Sequence, residues 1–137
     1  MNVNELMNAK VASTPSTATT KEAARQMHDS HVGCLTVIDD DKLIGIITDR
    51  DICCKVTATG RDAGFTKVNE VMTKEVITCF VDQSVDEAAE IMKQNHIRRL
   101  AVIDRDNLIT GFISVDDLAR ASHELASNVL TSTTTYH

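Results

Sequence analysis

The chain has 137 residues, 42% of them apolar and 25% charged, which suits one ordinary globular domain or two very small ones. Twenty acidic side chains against 14 basic ones leave a net charge of −6, and one Tyr, three Phe and no Trp make aromatic rings scarce. Such a chain lacks the basic face of a phosphate-backbone binder and the stacking platform of a single-strand binder, so no nucleic-acid partner is expected.

No apolar run is long enough to span a bilayer, and Met1 to Lys10 carry neither a basic nor an apolar leader region. A cytoplasmic protein with no membrane partner is the expectation. Cys34, Cys53, Cys54 and Cys79 form no spaced framework, so structural disulfides are not expected in a reducing compartment.

In chain order, a short strand is expected around Val11. Thr19-x-x-Glu22 fits a capping box and opens a helix over Thr20 to Ser30, with Ala23, Ala24 and Met27 on one face. Two apolar runs, Cys34 to Ile38 and Leu43 to Ile47, flank the acidic turn Asp39-Asp40-Asp41-Lys42 and read as a β-hairpin. A second helix follows Thr48. On it the adjacent Cys53 and Cys54 point to different faces, so one of them is expected in the core. Arg61 to Lys67, edged by Gly60 and Gly64, reads as a linker.

The same series then recurs. A strand is expected around Val76, and Ser84-x-x-Glu87 opens a helix over Val85 to Asn95 whose Ala88, Ala89, Ile91 and Met92 share a face. A hairpin over Leu100 to Ile103 and Leu108 to Ile113 turns through Asp104-Arg105-Asp106. A last helix begins after Ser114 and runs toward Leu130, and Thr131 to His137 read as a frayed tail.

The recurrence is literal. Shifted by 65 positions, Val3-Asn4-Glu5-Leu6-Met7 falls on Val68-Asn69-Glu70-Val71-Met72. In the same register Glu22-Ala23-Ala24 falls on Glu87-Ala88-Ala89, His31 on His96, and Val37-Ile38-Asp39 on Val102-Ile103-Asp104. One extra residue near Thr110 then moves the register, so that Gly45 meets Gly111, Thr48 meets Ser114 and Asp51 meets Asp117. The organisation expected is repeat 1 over 1–60, a linker over 61–67, repeat 2 over 68–122, and a helix end and tail over 123–137. A unit of about 60 residues buries too small a share of its surface to be secure alone. Two units sharing one core are therefore expected.

Gly45-Ile46-Ile47-Thr48-Asp49-Arg50-Asp51 and Gly111-Phe112-Ile113-Ser114-Val115-Asp116-Asp117 both follow a pattern of glycine, apolar residues, Thr or Ser, two variable residues and Asp. In this the chain resembles tandem cystathionine-β-synthase (CBS) domain pairs of the small stand-alone bacterial type, over residues 3–120. His96-Ile97-Arg98-Arg99-Leu100-Ala101-Val102 is similar to the family's basic segment leading into its second strand.

The resemblance implies an α+β fold: two pseudo-symmetric β-α-β-β-α repeats packed sheet to sheet as one module. It also implies an adenosine nucleotide (AMP, ADP or ATP) bound in the cleft between the repeats, and a homodimer. The chain departs from the family in having Thr36 and Ala101 where many members carry proline in the second strand. It also carries Gly33-Cys34 in one repeat where the other has Arg98-Arg99.

Thr48-x-x-Asp51 and Ser114-x-x-Asp117 have two compatible readings. As helix starts, the hydroxyl accepts from an early N–H and the acid favours the positive helix end. As ligand groups, Asp51 and Asp117 would accept from a ribose diol, and Thr48 and Ser114 would bond ribose or phosphate oxygens. On the resemblance, Ile46, Ile47, Phe112 and Ile113 would wall a purine, and Val11 and Val76 would lie on strands that contact adenine through their backbone. Arg99, with Arg98, would grip phosphate in a bidentate fork.

His28-x-x-His31-x-x-Cys34 has metal-ligand residue types but specifies no fourth ligand, so no metal site is assigned and a helix end beside a strand cysteine is the better account. No nucleophile–base pair, P-loop or dinucleotide glycine motif is visible, and no required cofactor. The expected function is a non-enzymatic regulatory module that senses a nucleotide and signals through conformation or assembly. The alternatives are a stress-linked interaction protein with empty clefts and a thiol redox switch.

Overall fold

The structure, a computed structural model, describes the backbone of residues 1–134 and the side chains of residues 1–133. Its elements are α1 (Val3–Leu6), β1 (Ser13–Thr14), α2 (Thr20–Ser30), β2 (Cys34–Asp39), β3 (Lys42–Thr48) and α3 (Asp49–Ile52). After a π-helical turn, Cys53–Thr57, come α4 (Val68–Val71), β4 (Thr78–Phe80), α5 (Val85–Asn95), β5 (Arg99–Ile103), β6 (Ile109–Ser114), α6 (Val115–Ala121) and α7 (His123–Thr134). The α+β class expected from the sequence is the one observed.

Helices α2 and α5 begin and end at the expected residues because local chemistry fixes both ends. The hydroxyls of Thr19 and Ser84 accept from the N–H groups of Glu22 and Glu87, each at 3.1 Å. At the far ends His31 and His96 enter the left-handed region, at φ 54° and 55°, and their N–H groups return to carbonyls of the last turn. The recurrence of histidine at this offset therefore marks a helix stop.

The chain divides into two compact units: a central one, Ala12–Val76, and a terminal one, made of Met1–Val11 with the chain from Ile77 onward. The central unit holds a sheet of order β1-β2-β3 and the terminal unit one of order β4-β5-β6. In each, the first pair is parallel and the second antiparallel. Leu35, Val37, Ile47, Val56 and Met27 fill the central core, and Met92, Leu100, Val102, Ile113 and Leu118 the terminal one.

The short helices α1 and α4 do not follow the repeat boundaries. Val3 and Leu6 of α1 are buried in the terminal core, and Val68 and Val71 of α4 in the central core. Each unit is thus completed by a leading segment belonging to the other sequence repeat.

The first strands lie two residues beyond their expected centres. Val11 and Val76 precede β1 and β4, and the register begins at Ser13 opposite Thr36 and at Thr78 opposite Ala101. Thr14 and Cys79 supply the buried side chains there. Strand β1 stops after two residues because Pro15, having no N–H, cannot extend a ladder; Phe80 at the matching position can.

The extra residue of the second repeat sits in its hairpin turn, not at Thr110. Asp40 and Asp41, at φ 50° and 63°, form a two-residue turn of the mirror type that matches strand twist. The other hairpin turns through Arg105-Asp106-Asn107, with Asn107 at φ 63° and the Asp104 carboxylate accepting from the N–H groups of Asp106 and Leu108. Both hairpins keep the same register shift beyond the turn, after Val37 and after Val102.

Further expectations, on the cysteines and on the C-terminal helix, are corrected. Both Cys53 and Cys54 are exposed, because the π-helical turn (Ala58 N–H to Cys53 carbonyl, 2.9 Å) hands the core position to Val56. The last helix is interrupted at Ser122, where φ is −159°, and resumes as α7. Thr131 to Thr134 are helical and Thr133 is buried, so the expected frayed tail is not one up to that point; residues 135–137 lie outside the described residues. The 61–67 segment is packed: the Thr20 and Lys21 N–H groups donate to the Thr66 and Ala63 carbonyls at 2.8 and 3.0 Å. No disulfide joins the cysteines among the described residues.

Candidate functional site

Each antiparallel strand that ends a sheet delivers its chain directly into a helix, and the join is a complete capping box in both units. Thr48 is extended (φ −115°, ψ 163°); its Oγ1 accepts from the Asp51 N–H at 3.0 Å, and Asp51 Oδ2 accepts from the Thr48 N–H at 3.0 Å. Ser114 (φ −119°, ψ 168°) repeats this with Asp117, at 3.2 Å for the hydroxyl and 2.8 Å for the carboxylate. The capping reading of these pairs is what the geometry displays, and it holds both carboxylates in one orientation.

The second oxygen of each carboxylate meets a cation. Asp51 Oδ1 lies 3.0 Å from Lys55 Nζ, and Asp117 Oδ1 lies 2.7 Å from an Arg120 guanidinium nitrogen. The same nitrogens reach back to the leading helices: Lys55 donates to the Val71 carbonyl of α4 and Arg120 to the Leu6 carbonyl of α1, both at 3.0 Å. Thr73 adds a hydroxyl, 3.4 Å from Asp51 Oδ2.

Lys55, Thr73 and Arg120 were not singled out from the sequence. The i, i+4 and i, i+3 spacings from the aspartates were the available signal. Comparing the repeats hides that signal, because Arg120 falls opposite Cys54 and Lys55 opposite Ala121.

The motif glycines have a packing cause. A Cβ on Gly45 would stand 2.8 Å from the Thr73 carbonyl oxygen, and one on Gly111 would stand 2.4 Å from that of Asn8. The chain following each leading helix passes here, bridging Ile46 to Thr73 and Phe112 to Asn8. Glycine is needed where two backbones approach this closely.

The arginines differ from their counterparts at the same structural position. Arg99 pairs with Ser114 across β5 and β6, as Cys34 pairs with Thr48 across β2 and β3. The Arg98 carbonyl accepts from Val115 N–H at 2.8 Å, as the Gly33 carbonyl accepts from Asp49 N–H at 3.0 Å. Both arginines are exposed, and Arg98 Nε also donates to Thr133 at 3.3 Å. In the central unit the corresponding space above Gly33 is taken by an acid: a Cβ there would lie 2.9 Å from Asp49 Oδ2.

Of the four expected apolar walls, Ile47 and Ile113 are fully buried in their own cores, and strand alternation leaves Ile46 and Phe112 half-buried on the opposite face. Val11 and Val76 are half-buried and lie outside the strands. His28 is exposed against Asp29, Cys34 is buried, and no group of three metal-ligating side chains converges among the described residues. No helix among them is long and apolar enough to cross a membrane.

Two small α+β units, each ending a hairpin in a capped helix that starts on Thr or Ser and Asp, define a tandem-repeat module. The CBS domain family model matches residues 3–56 and again 68–124. The chain belongs to the CBS domain family, as the motif resemblance implied.

It is 39% identical over 132 residues to the CBS domain-containing protein YhcV of Bacillus subtilis, covering 95% of this chain and 93% of that one. It superposes with a TM-score of 0.87 and 25% identity on a CBS domain protein of Thermoplasma acidophilum, TA0289, covering 98% of this chain and 77% of that one. The fold is also shared with PAE2072 of Pyrobaculum aerophilum, solved in complex with AMP, at a TM-score of 0.80 and 23% identity, covering 96% and 99%.

Proposed function

We propose that this chain is a non-catalytic regulatory module that binds an adenosine nucleotide at its Thr/Ser-x-x-Asp helix starts and signals through conformation or assembly. The observation that supports this best is the pair of oriented carboxylates. Asp117 accepts from the Ser114 N–H and hydroxyl and from Arg120. That uses three of about four acceptor positions and leaves one for a ribose hydroxyl. AMP in the Pyrobaculum protein is consistent with the same ligand class.

The two helix starts are unequal in this reading. Arg99 beside Ser114, with Arg98, supplies a phosphate grip in the terminal unit, whereas Asp49 above Gly33 repels phosphate in the central one. Phe112 and Ile46 are the apolar faces left for a purine. The signal has a route: a second ribose hydroxyl on Asp117 competes with Arg120, whose other partner is the Leu6 carbonyl, so occupancy loosens the hold on α1. Such a shift is limited to the ligand's difference in affinity for the two arrangements.

Titration calorimetry with AMP, ADP and ATP on the parent chain and on Asp117→Ala tests the reading. Loss of a charge-assisted hydrogen bond, roughly 1.5 to 3 kcal/mol, weakens binding by about 10- to 100-fold. Unchanged affinity in the variant excludes Asp117 as the ribose partner. A melting temperature unmoved by millimolar nucleotide removes the nucleotide reading altogether, since a ligand of the native state must stabilise it.

A further inference from the structure

Residues 52–56 divide between core and solvent. Ile52 and Val56 pack into the central core, and the three residues between them, Cys53, Cys54 and Lys55, are all exposed. The π-helical turn causes this. With more residues to each turn than an α-helix, it puts a smaller angle between successive side chains, so neighbours share the solvent side between one core contact and the next. The turn opens on Cys53, whose carbonyl accepts from the Ala58 N–H at 2.9 Å.

The four cysteines thereby fall into two classes. Cys34 and Cys79 are 8% and 2% exposed, and burial pushes the Cys79 thiol up to about 11. Cys53 and Cys54 are free, adjacent and open to solvent. The pair belongs to the central unit, since Ala119 and Arg120 stand opposite it in the second repeat.

Adjacent thiols on one face are a bidentate donor set. A disulfide does not suit them, because its Cβ atoms must approach to about 3.5–4.5 Å. At Cys53 the backbone is helical, φ −60° and ψ −50°, which splays neighbouring side chains. An atom inserted between the sulfurs widens the span they can close. Zinc does not suit them either: its structural sites take four ligands, and no group of three His, Cys, Asp or Glu side chains converges among the described residues. Soft thiolates select soft centres, and the centre needed is one satisfied by two of them. Trivalent arsenic is such a centre, since two of its three bonds go to the protein and the third keeps its own substituent.

We propose that Cys53 and Cys54 are a vicinal dithiol that chelates one trivalent arsenic centre. With an arsenoxide, two S–H bonds and the As=O bond break and two As–S bonds form. The oxygen leaves as water with both thiol protons, and nothing is oxidised or reduced. Lys55, next in the chain, carries the ammonium that joins Asp51 to α4, so the chelate sits beside the central helix start. The site owes nothing to the nucleotide reading, and its test needs no nucleotide.

Phenylarsine oxide added to the reduced full chain tests it, with excess monothiol present so that adducts on single thiols exchange away. Intact-mass spectrometry is expected to show one phenylarsenic group per chain, and peptide mapping to place it on Cys53 and Cys54. A small dithiol should then remove it. Closing the chelate makes the second bond intramolecular, so Cys53→Ser and Cys54→Ser are each expected to weaken retention by about a hundredfold or more. Both side chains are exposed, so unchanged thermal melting checks that the variants fold. No adduct on the parent chain, retention unchanged in either serine variant, or an arsenic that bridges two chains overturns the proposal.

Discussion

The two units reach the same local architecture by different residues. In the terminal unit a guanidinium three residues beyond the capping aspartate bridges it to α1; in the central unit an ammonium four residues beyond bridges it to α4. The cation is not at the matching position, yet its two acceptors are: the capping carboxylate and the last carbonyl of the leading helix. What is common to the repeats is therefore a link between helix start and leading segment. The difference shows that either cation suffices when its side chain reaches both oxygens. The terminal unit adds α7, whose Ala126 and Val129 extend a core that the central unit closes with Val56 of the π-helical turn and with Val68 and Val71 of α4.

The largest effects are expected from cutting the matched core positions. Ile47 and Ile113 are both fully buried, each in its own cluster, so truncation to alanine costs about 2 to 5 kcal/mol in either case. The comparison is sharpened by where the loss is felt. Hydrogen exchange in α1, residues Val3–Leu6, is expected to accelerate in Ile113→Ala and to stay near the parent rate in Ile47→Ala. Acceleration of α1 in Ile47→Ala instead would mean that the leading segments follow the sequence repeats after all.

Next come the glycines that let the backbones touch. Gly111→Ala places a methyl 2.4 Å from the Asn8 oxygen and 3.2 Å from the Ala9 Cα, and everything it meets is backbone. Gly45→Ala meets the Thr73 oxygen at 2.8 Å and the Met72 sulfur at 3.0 Å, the latter on a side chain that can turn aside. Overpacking of this kind costs about 1 to 3 kcal/mol, with Gly111→Ala the more severe. Limited proteolysis reads it directly: Gly111→Ala is cut early within residues 1–11, and Gly45→Ala within 68–76. Equal resistance in both variants would remove the close approach as the reason for the motif glycines.

Much of this was legible in the sequence because the repeat displays it twice. The helices Thr20–Ser30 and Val85–Asn95, the hairpins and the two capping pairs each rest on short-range chemistry: a hydroxyl before an acid, an apolar stripe, an acidic turn. What was not legible depends on which segment packs where. Val3 and Val68 look alike in sequence, and nothing local says that each is buried in the unit of the other repeat. Lys55 and Arg120 were hidden because they break the alignment that exposed everything else. The exposure of Cys53 and Cys54 follows from a π-helical turn, and α-helical spacing does not anticipate it.

The smallest expected effect concerns acid and a link the terminal unit lacks. In the central unit the Asp39 carboxylate accepts from both the hydroxyl and the N–H of Ser16, and these bonds, the hydroxyl's foremost, hold its pKa below the usual carboxylate value. Ser16 aligns with Val81, so Asp104 has no serine counterpart there, and its Oδ1 accepts from the N–H groups of its own turn. A carboxylate whose folded pKa is lowered contributes stability that is present above its unfolded pKa and lost as the pH falls toward the folded value. Asp82 beside Arg105, Glu87 beside Gln83, and Glu70 at the Lys67 N–H are lowered in the same sense, so the whole chain weakens below about pH 5. Ser16→Ala isolates the central unit's share. Denaturant melts should show the variant below the parent at neutral pH, with the gap narrowing as Asp39 becomes protonated in both states. A gap that keeps its size from pH 7 to 3 would mean that Ser16 acts by packing alone, leaving the two hairpins equivalent in their response to acid.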